Sequence, residues 1–332
     1  MTQYSSHHQI EINKYFADIN TFLNTGAKAA KITNAIIFMI CKDCQPISVV
    51  DNDGFKQVLR ITAPHYTIPH RSTITRMIDS KYEVLSKVIK EELANVKNIT
   101  LATDVWTNTM QARSFLGITV HYVKDISLNS IVLCVQQLEE RHTGEYLSKI
   151  LTDTCENWGI HKEHVTAVVT DDAANMILAV ELAFTKAKHM NCFAHTLNLV
   201  AEKSVKSVAK FVHVLNKVKQ IVTWFKHSVI AIDDLRKMSQ NTKLIQECPT
   251  RWNSKFCMIE RFLQLHKEVN EILIRHTSAP PMVSALEILQ LKETMEILRP
   301  LESTSTECCG EKYLTSSMVI PMVHCMVKRF PH

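Results

Sequence analysis

Ile99-Thr100-Leu101-Ala102-Thr103-Asp104 is short, apolar and rich in residues that suit a pleated, half-buried backbone. The same texture returns over residues 115–123, where β-branched and aromatic side chains dominate, and again over residues 131–135. Three sequential strands are expected. A helical pattern then covers residues 144–158, a compact strand 164–170, a helix from residue 173 to about 188, and a short strand 190–193. A meander that passes into alternating helix and strand predicts an α/β fold, with a mixed sheet and helices packed on its faces.

Upstream of this block, residues 32–40 read as an apolar helix running into a turn at Cys41, Cys44 and Pro46, and residues 55–59 resume the helical pattern. Pro64 and Pro69 bracket an extended piece, after which Ser72 is placed to cap a helix through Met77, Tyr82, Leu85 and Ile89. Downstream of His195 the strand signals stop. Helices are expected over 196–226, 230–238 and 253–275, with a breaker at Ala279-Pro280-Pro281 and a further helix that Pro300 ends near Leu298. The expected division is a helical N-terminal domain, 1–95, the first part of a sheet-bearing core, 96–195, and a helical insertion domain, 196–332, stopping before the core is complete.

Composition narrows the classes. With 332 residues, 46% of them hydrophobic, the chain can bury a substantial core. Six glycines count against glycine-loop nucleotide binding and collagen-like structure. Lys and Arg exceed Asp and Glu by 38 to 33, a balance that permits nucleic-acid partners without demanding them. No run approaches the roughly 18 apolar residues of a membrane span, and the polar start lacks a signal-peptide pattern, so an intracellular protein with no membrane partner is expected. Ten scattered cysteines fit reduced, buried thiols in a reducing compartment.

Asp104 is expected to end the first strand, and Asp171 with Asp172 the fourth. The element order is that of a ribonuclease-H-like core, in which carboxylates from two neighbouring strands meet at one sheet edge. Such hard oxygen ligands suit Mg²⁺ or Mn²⁺, and two ions about 3.5–4 Å apart can activate the attacking oxygen and stabilise the leaving oxygen of a phosphodiester. A third acidic ligand is normally required. The competing reading is that each Asp caps the turn or helix that follows it.

Four ordered motifs carry a family resemblance. Thr103-Asp104-Val105-Trp106-Thr107 resembles the first acidic motif of hAT superfamily transposases, and Thr170-Asp171-Asp172-Ala173-Ala174-Asn175-Met176 the second. Cys192-Phe193-Ala194-His195-Thr196-Leu197-Asn198-Leu199 is similar to the family's Cys/His block, and Pro249-Thr250-Arg251-Trp252-Asn253-Ser254 to its Arg-Trp block. With weaker segments from Pro46 to Ser317, the resemblance covers about 300 residues and is nearest to the animal zinc finger BED domain-containing proteins, many of them domesticated transposases. It implies a ribonuclease-H-like fold, metal-binding carboxylates at Asp104 and Asp171, and His195 beside them near DNA. It also implies Trp252 as an aromatic platform for a base extruded during hairpin formation, with Arg251 contacting phosphate or bracing that loop. Without the other motifs, Arg251 and Trp252 read as a surface Arg beside a buried Trp.

Lys203, Lys206, Lys210, His213 and Lys217 recur at three- and four-residue spacing, which places a basic stripe on one face of a predicted helix. The stripe suits phosphate contacts along a DNA backbone, or equally a plain solvated face. Cys192 and His195 have zinc-compatible spacing but no second close pair, so no structural zinc is expected. Cys41 and Cys44 are expected to be partly buried thiols at a helix end.

The pattern departs from the family in two places. A BED finger is not recognisable at the N-terminus, and the glutamate that completes the family's catalytic triad, with the dimerisation region that makes full-length members homo-oligomers, belongs beyond the stretch holding Glu302, Glu307 and Glu311. The expectation is a transposase-derived nuclear protein that associates with DNA, and with nuclear proteins, without complete catalytic activity. One alternative is part of an active transposase using Mg²⁺ or Mn²⁺ for DNA cleavage and strand transfer. Another is a protein-interaction module with no DNA affinity.

Overall fold

The computed structural model describes residues 26–108, 110–248, 252–308 and 316–329. The chain divides into two compact units, Met1–Asn95 and Val96–His332.

The first unit is helical: α1 (Ala27–Lys42), a 3-10 turn (Ile47–Asp51), α2 (Asp53–Thr62) and α3 (Arg71–Ala94). Ile36, Ile37 and Ile40 lie three and four residues apart, so α1 turns one apolar stripe inward to meet Val50, Ala63, Tyr66 and Ile74. Thr33 is buried in that stripe, and its hydroxyl is satisfied by Ala29 O at 2.9 Å and Tyr66 OH at 2.7 Å. Two expectations change here. His70, not Ser72, caps α3: His70 keeps extended backbone angles and its Nδ1 accepts the Ser72 N–H, which places Ser72 inside the first turn. Cys41 and Cys44 are exposed, because the inward stripe of α1 ends at Ile40.

In the second unit, β1 (Ile99–Asn108), β2 (Arg113–Lys124), β3 (Ser127–Leu138), β4 (Val165–Thr170) and β5 (His189–Asn191) form one sheet in the order β3-β2-β1-β4-β5. The first three strands pair antiparallel, and β4 and β5 join parallel to β1. Alternation places Ile99, Leu101 and Thr103 of β1 and Leu116, Ile118, Val120 and Tyr122 of β2 on the buried face. Between β2 and β3 the register slips at Ile118/Thr119, which leaves Leu133 as the extra residue of a bulge, and its carbonyl accepts the indole N–H of Trp158 at 3.0 Å. That bond ties α4 (Gly144–Asn157) to the meander. The start of α4 touches α5 (Ala174–Ala183) so closely that a Cβ at Gly144 would lie 2.6 Å from Leu178 Cγ.

The expected helix to residue 188 stops at Ala183, where Phe184 leaves helical angles, because the chain must turn to bring His189 beside Val168 in β4. β1 does not end at Asp104. It runs four residues further, held by β2 through the pair Asn108 and Arg113.

The elements after β5 are helices: α6 (Phe193–Ser207), α7 (Ala209–His227), α8 (Val229–Met238), α9 (Trp252–Gln264), α10 (His266–Arg275), α11 (Ala285–Cys308) and α12 (Val319–Arg329). The single expected helix over 196–226 is two, broken at Val208, and that over 253–275 is two, broken at Leu265. The breaks redirect the helices onto one core, where Phe211, Val218, Ile221, Phe225, Phe262, Ile272 and Leu291 are almost fully buried. Pro300 does not end its helix: α11 continues to Cys308. Its missing N–H costs a helical bond, but Leu298, Leu301 and Ser305 are buried around it, and that packing outweighs the local penalty.

Candidate functional site

The parallel ladder between β1 and β4 is paired as far as Ala102 and Val169. Two residues beyond each of these come Asp104 and Asp171, so the strands deliver both carboxylates to the same end of the same pair. Asp104 lies opposite Gly117 of β2. Its carboxyl is pushed above its ordinary value by burial first and then by the charge of Asp171, while the Val105 backbone N–H and His195 pull it back down. Asp104, Asp171 and His195 therefore share one electrostatic neighbourhood. His195 reaches it from the first turn of α6, which follows β5 directly.

Asp171 also serves locally: its Oδ1 accepts the Ala173 N–H at 3.2 Å, so it caps the turn that leads into α5. Before it, buried Thr170 is fixed on three sides. Its hydroxyl donates to Asp171 O at 2.7 Å and lies 2.8 Å from His189 Nε2, and its carbonyl accepts Cys192 N–H at 2.7 Å. Because the hydroxyl hydrogen goes to Asp171 O, the Nε2 of His189 supplies the donor. Thr103 Oγ1 and Asp172 Oδ1 beside the site are buried without hydrogen-bond partners.

Trp106 was not anticipated as part of the site. By alternation it shares the Asp104 face of β1, it is 41% exposed, and it stacks on Phe115 with ring centroids 5.7 Å apart and planes at 23°. The available signal was its spacing, two residues after Asp104 on a strand.

Arg251 lies outside the described residues. Trp252 opens α9 by its backbone, and its side chain is likewise outside them. The start of α9 is anchored by Ser254 Oγ, which accepts Cys248 N–H at 2.7 Å and donates to Cys248 O at 2.9 Å. The basic stripe does not lie on one helix, since the break at Val208 puts Lys203 and Lys206 on α6 and Lys210, His213 and Lys217 on α7. Lys206 pairs with Glu202 at 3.1 Å and Lys217 with Glu287 at 2.6 Å, whereas Lys203 and Lys210 are exposed. Glu302 and Glu307 stand on α11, and Glu311 is outside the described residues. Among the described residues, no group of three or more His, Cys, Asp or Glu side chains is placed to share a metal ion. No helix among them is long and apolar enough to cross a membrane. Cys155 is buried, and its thiol is pushed up to about 11 by that burial, whereas Cys248 and Cys325 are exposed, contrary to the expectation of generally buried thiols.

A five-stranded mixed sheet with helical flanks, followed by an all-helical region, defines the class: a ribonuclease-H-like α/β protein. Residues 102–196 match the ZBED1 RNase-like domain and residues 190–302 the ZBED1 RNase-like helical domain. The chain is 28% identical over 337 residues to human zinc finger BED domain-containing protein 4, covering 95% of this chain and 28% of that protein. It is 27% identical over 250 residues to the Hobo transposase of Drosophila melanogaster (70% of this chain, 37% of that protein). To mouse zinc finger BED domain-containing protein 6 it is 26% identical over 321 residues, which is 90% of this chain and 32% of that protein. The chain belongs to the hAT-type, BED-protein-like family of transposase-derived proteins. It spans about a third of the length of these relatives.

Proposed function

We propose that this protein binds DNA in the nucleus, holding a strand at the sheet edge where Asp104, Asp171 and His195 meet, and that the described residues form a binding scaffold without a complete cleavage site. The observation that carries this reading is the shared electrostatic neighbourhood of those three side chains at the end of the β1/β4 ladder. The transposase and zinc-finger names of the relatives support both the DNA partner and the nuclear setting.

Two carboxylates that repel each other fit a divalent cation as part of its ligand set. Asp104 and Asp171 would hold Mg²⁺ or Mn²⁺, and such an ion supplies polarisation of a phosphodiester oxygen. His195 would donate a hydrogen bond to phosphate. Lys203 and Lys210, exposed on α6 and α7, suit backbone contacts better than Lys206 and Lys217, whose charges are met by glutamates. Arg251 and Trp252 would contribute a phosphate contact and a stacking platform.

A second reading, part of an active transposase completed by an acid elsewhere, is favoured by the presence of both Asp104 and Asp171 at one edge. Nuclease and strand-transfer assays with Mg²⁺ or Mn²⁺, on DNA carrying the neighbouring terminal repeats, separate the two. Salt-sensitive binding without cleavage is the expected result. Cleavage that disappears in both Asp104→Ala and Asp171→Ala would overturn the non-catalytic reading in favour of the second. Binding indifferent to salt would sink the DNA reading altogether.

A further inference from the structure

A cavity of about 220 Å³ lies between α7, α8 and the extended segment that follows α8, well away in sequence from the acidic motifs. Its floor is apolar, made by Val222, Phe225, Leu235 and Leu244. It is smaller than the roughly 300–1,000 Å³ of a site for a whole drug-sized ligand, so it has room for one ring system.

The wall is built rather than incidental. Gln240 and Asn241 both adopt positive φ, 51° and 67°, which reverses the chain. The Thr242 N–H donates to Ser239 O at 3.0 Å, and Arg261 Nη1 donates to Lys243 O at 3.0 Å, which ties the returning segment to the end of α8 and to α9.

Two polar features line this apolar space. Gln246 has its Oε1 buried without a hydrogen-bond partner, an acceptor whose desolvation is uncompensated until a donor arrives. Lys226, Arg236 and Lys243 supply positive charge. Arg236 is engaged by Asp233, but neither Lys226 nor Lys243 has a carboxylate partner among the described residues.

We infer that this cavity takes the base of an unpaired nucleotide in a DNA strand, with its amino or imino N–H given to Gln246 Oε1 and its phosphate held by Lys226 and Lys243. An aliphatic side chain of an acidic peptide would fill the floor and meet the lysines, yet leave Gln246 unsatisfied. A nucleotide carries the apolar faces, the N–H donor and the anion in one unit. The inference rests on the DNA-binding reading above.

The test measures fluorescence anisotropy of the full chain with a labelled mixed-sequence single strand and with a strand of equal length made of abasic sites. The abasic strand should bind about tenfold more weakly to the natural chain. Gln246→Leu, and independently Ile232→Phe at another lining residue, whose ring fills the cavity instead of emptying it, should remove most of that difference while keeping the salt dependence. Lys226→Ala combined with Lys243→Ala should weaken both strands and flatten the salt slope. Equal binding of the two strands, or a difference untouched by both cavity variants, overturns the base site and leaves the DNA reading standing. Absence of salt-sensitive binding to either strand overturns both. Displacement of DNA by a short acidic peptide, lost in Ile232→Phe, would reassign the cavity to a protein partner.

Discussion

A Cβ at Gly117 would lie 2.9 Å from Cζ3 of Trp106, so the indole occupies space that no other residue on β2 could leave open. Together with the Phe115 stack, this close approach fixes an exposed aromatic ring two residues from Asp104. Gly117→Ala is expected to push the indole off Phe115 and destabilise the second unit by about 1 kcal/mol, since overpacking against a partly exposed ring is relieved at modest cost. Near-UV circular dichroism and a denaturant melt check both effects. An unchanged Trp106 environment would show that the ring is not held by the glycine.

Asp104 has a raised pKa in the folded chain, so folding favours its protonated form. The stability it contributes is complete below the unfolded carboxylate value and is lost as pH rises through the folded one. Asparagine imitates the neutral form. Asp104→Asn should therefore melt higher than the natural chain at about pH 7, without metal, and the two should converge by about pH 3. The same variant should weaken Mn²⁺ binding followed by electron paramagnetic resonance. Equal melting temperatures at neutral pH would contradict the burial and repulsion assigned to this group.

Glu287 has the opposite sign. Lys217 Nζ at 2.6 Å, then the Ser284 backbone N–H at 2.7 Å, hold its carboxyl at about 2 against an ordinary 4.5. Ser284 and Glu287 also cap each other at the start of α11, with Ser284 Oγ accepting the Glu287 N–H. The stability from this arrangement is present above the ordinary carboxylate range and is lost as pH falls through about 4.5 toward 2. Lys217→Met should cost about 1 kcal/mol at neutral pH, allowing for solvent screening, and almost nothing near pH 2. A cost that does not depend on pH would mean that Lys217 acts through packing alone.

Pro300 sits inside α11 with Thr304 Oγ1 donating to its carbonyl at 2.8 Å. Pro300→Ala restores a backbone N–H to the helix and removes the ring's clash with the preceding turn. It should raise stability by about 1–2 kcal/mol, less than the full proline penalty because the unfolded chain also gains freedom. Destabilisation instead would show that the ring's packing matters more than the missing bond.

The sheet was legible because its signal is local. Ile99 to Thr103 and Leu116 to Tyr122 alternate inward and outward, and the β-branched runs end near their turns. The strand ends pointed to Asp104 and Asp171 meeting at one edge, whereas His195 was set beside them only by the family resemblance. The helix breaks could not be read. Val208 and Leu265 are ordinary residues whose non-helical angles are imposed by the core that the flanking helices share. Pro300 misled in the other direction, since a strong local signal yielded to burial on either side. Trp106 and His189 escaped notice because their importance lies in what they touch across the sheet, Phe115 and Gly117 for one and Thr170 for the other. The N-cap of α3 escaped because a histidine ring nitrogen took a role usually given to a hydroxyl or carboxylate.

β1 outruns β4 and continues with β2 as its partner to Asn108. Every residue of that strand is thereby committed to one side of the sheet or the other. Deleting a single residue between Ile99 and Asp104 would carry the carboxylate to the side now occupied by Leu101 and Thr103, and carry the apolar residues outward. Extra residues between Asn108 and Arg113, at the tip of the hairpin, would leave every side chain of β1 where it is. Length variation among related chains should therefore gather at that tip and be absent from the five residues leading to Asp104.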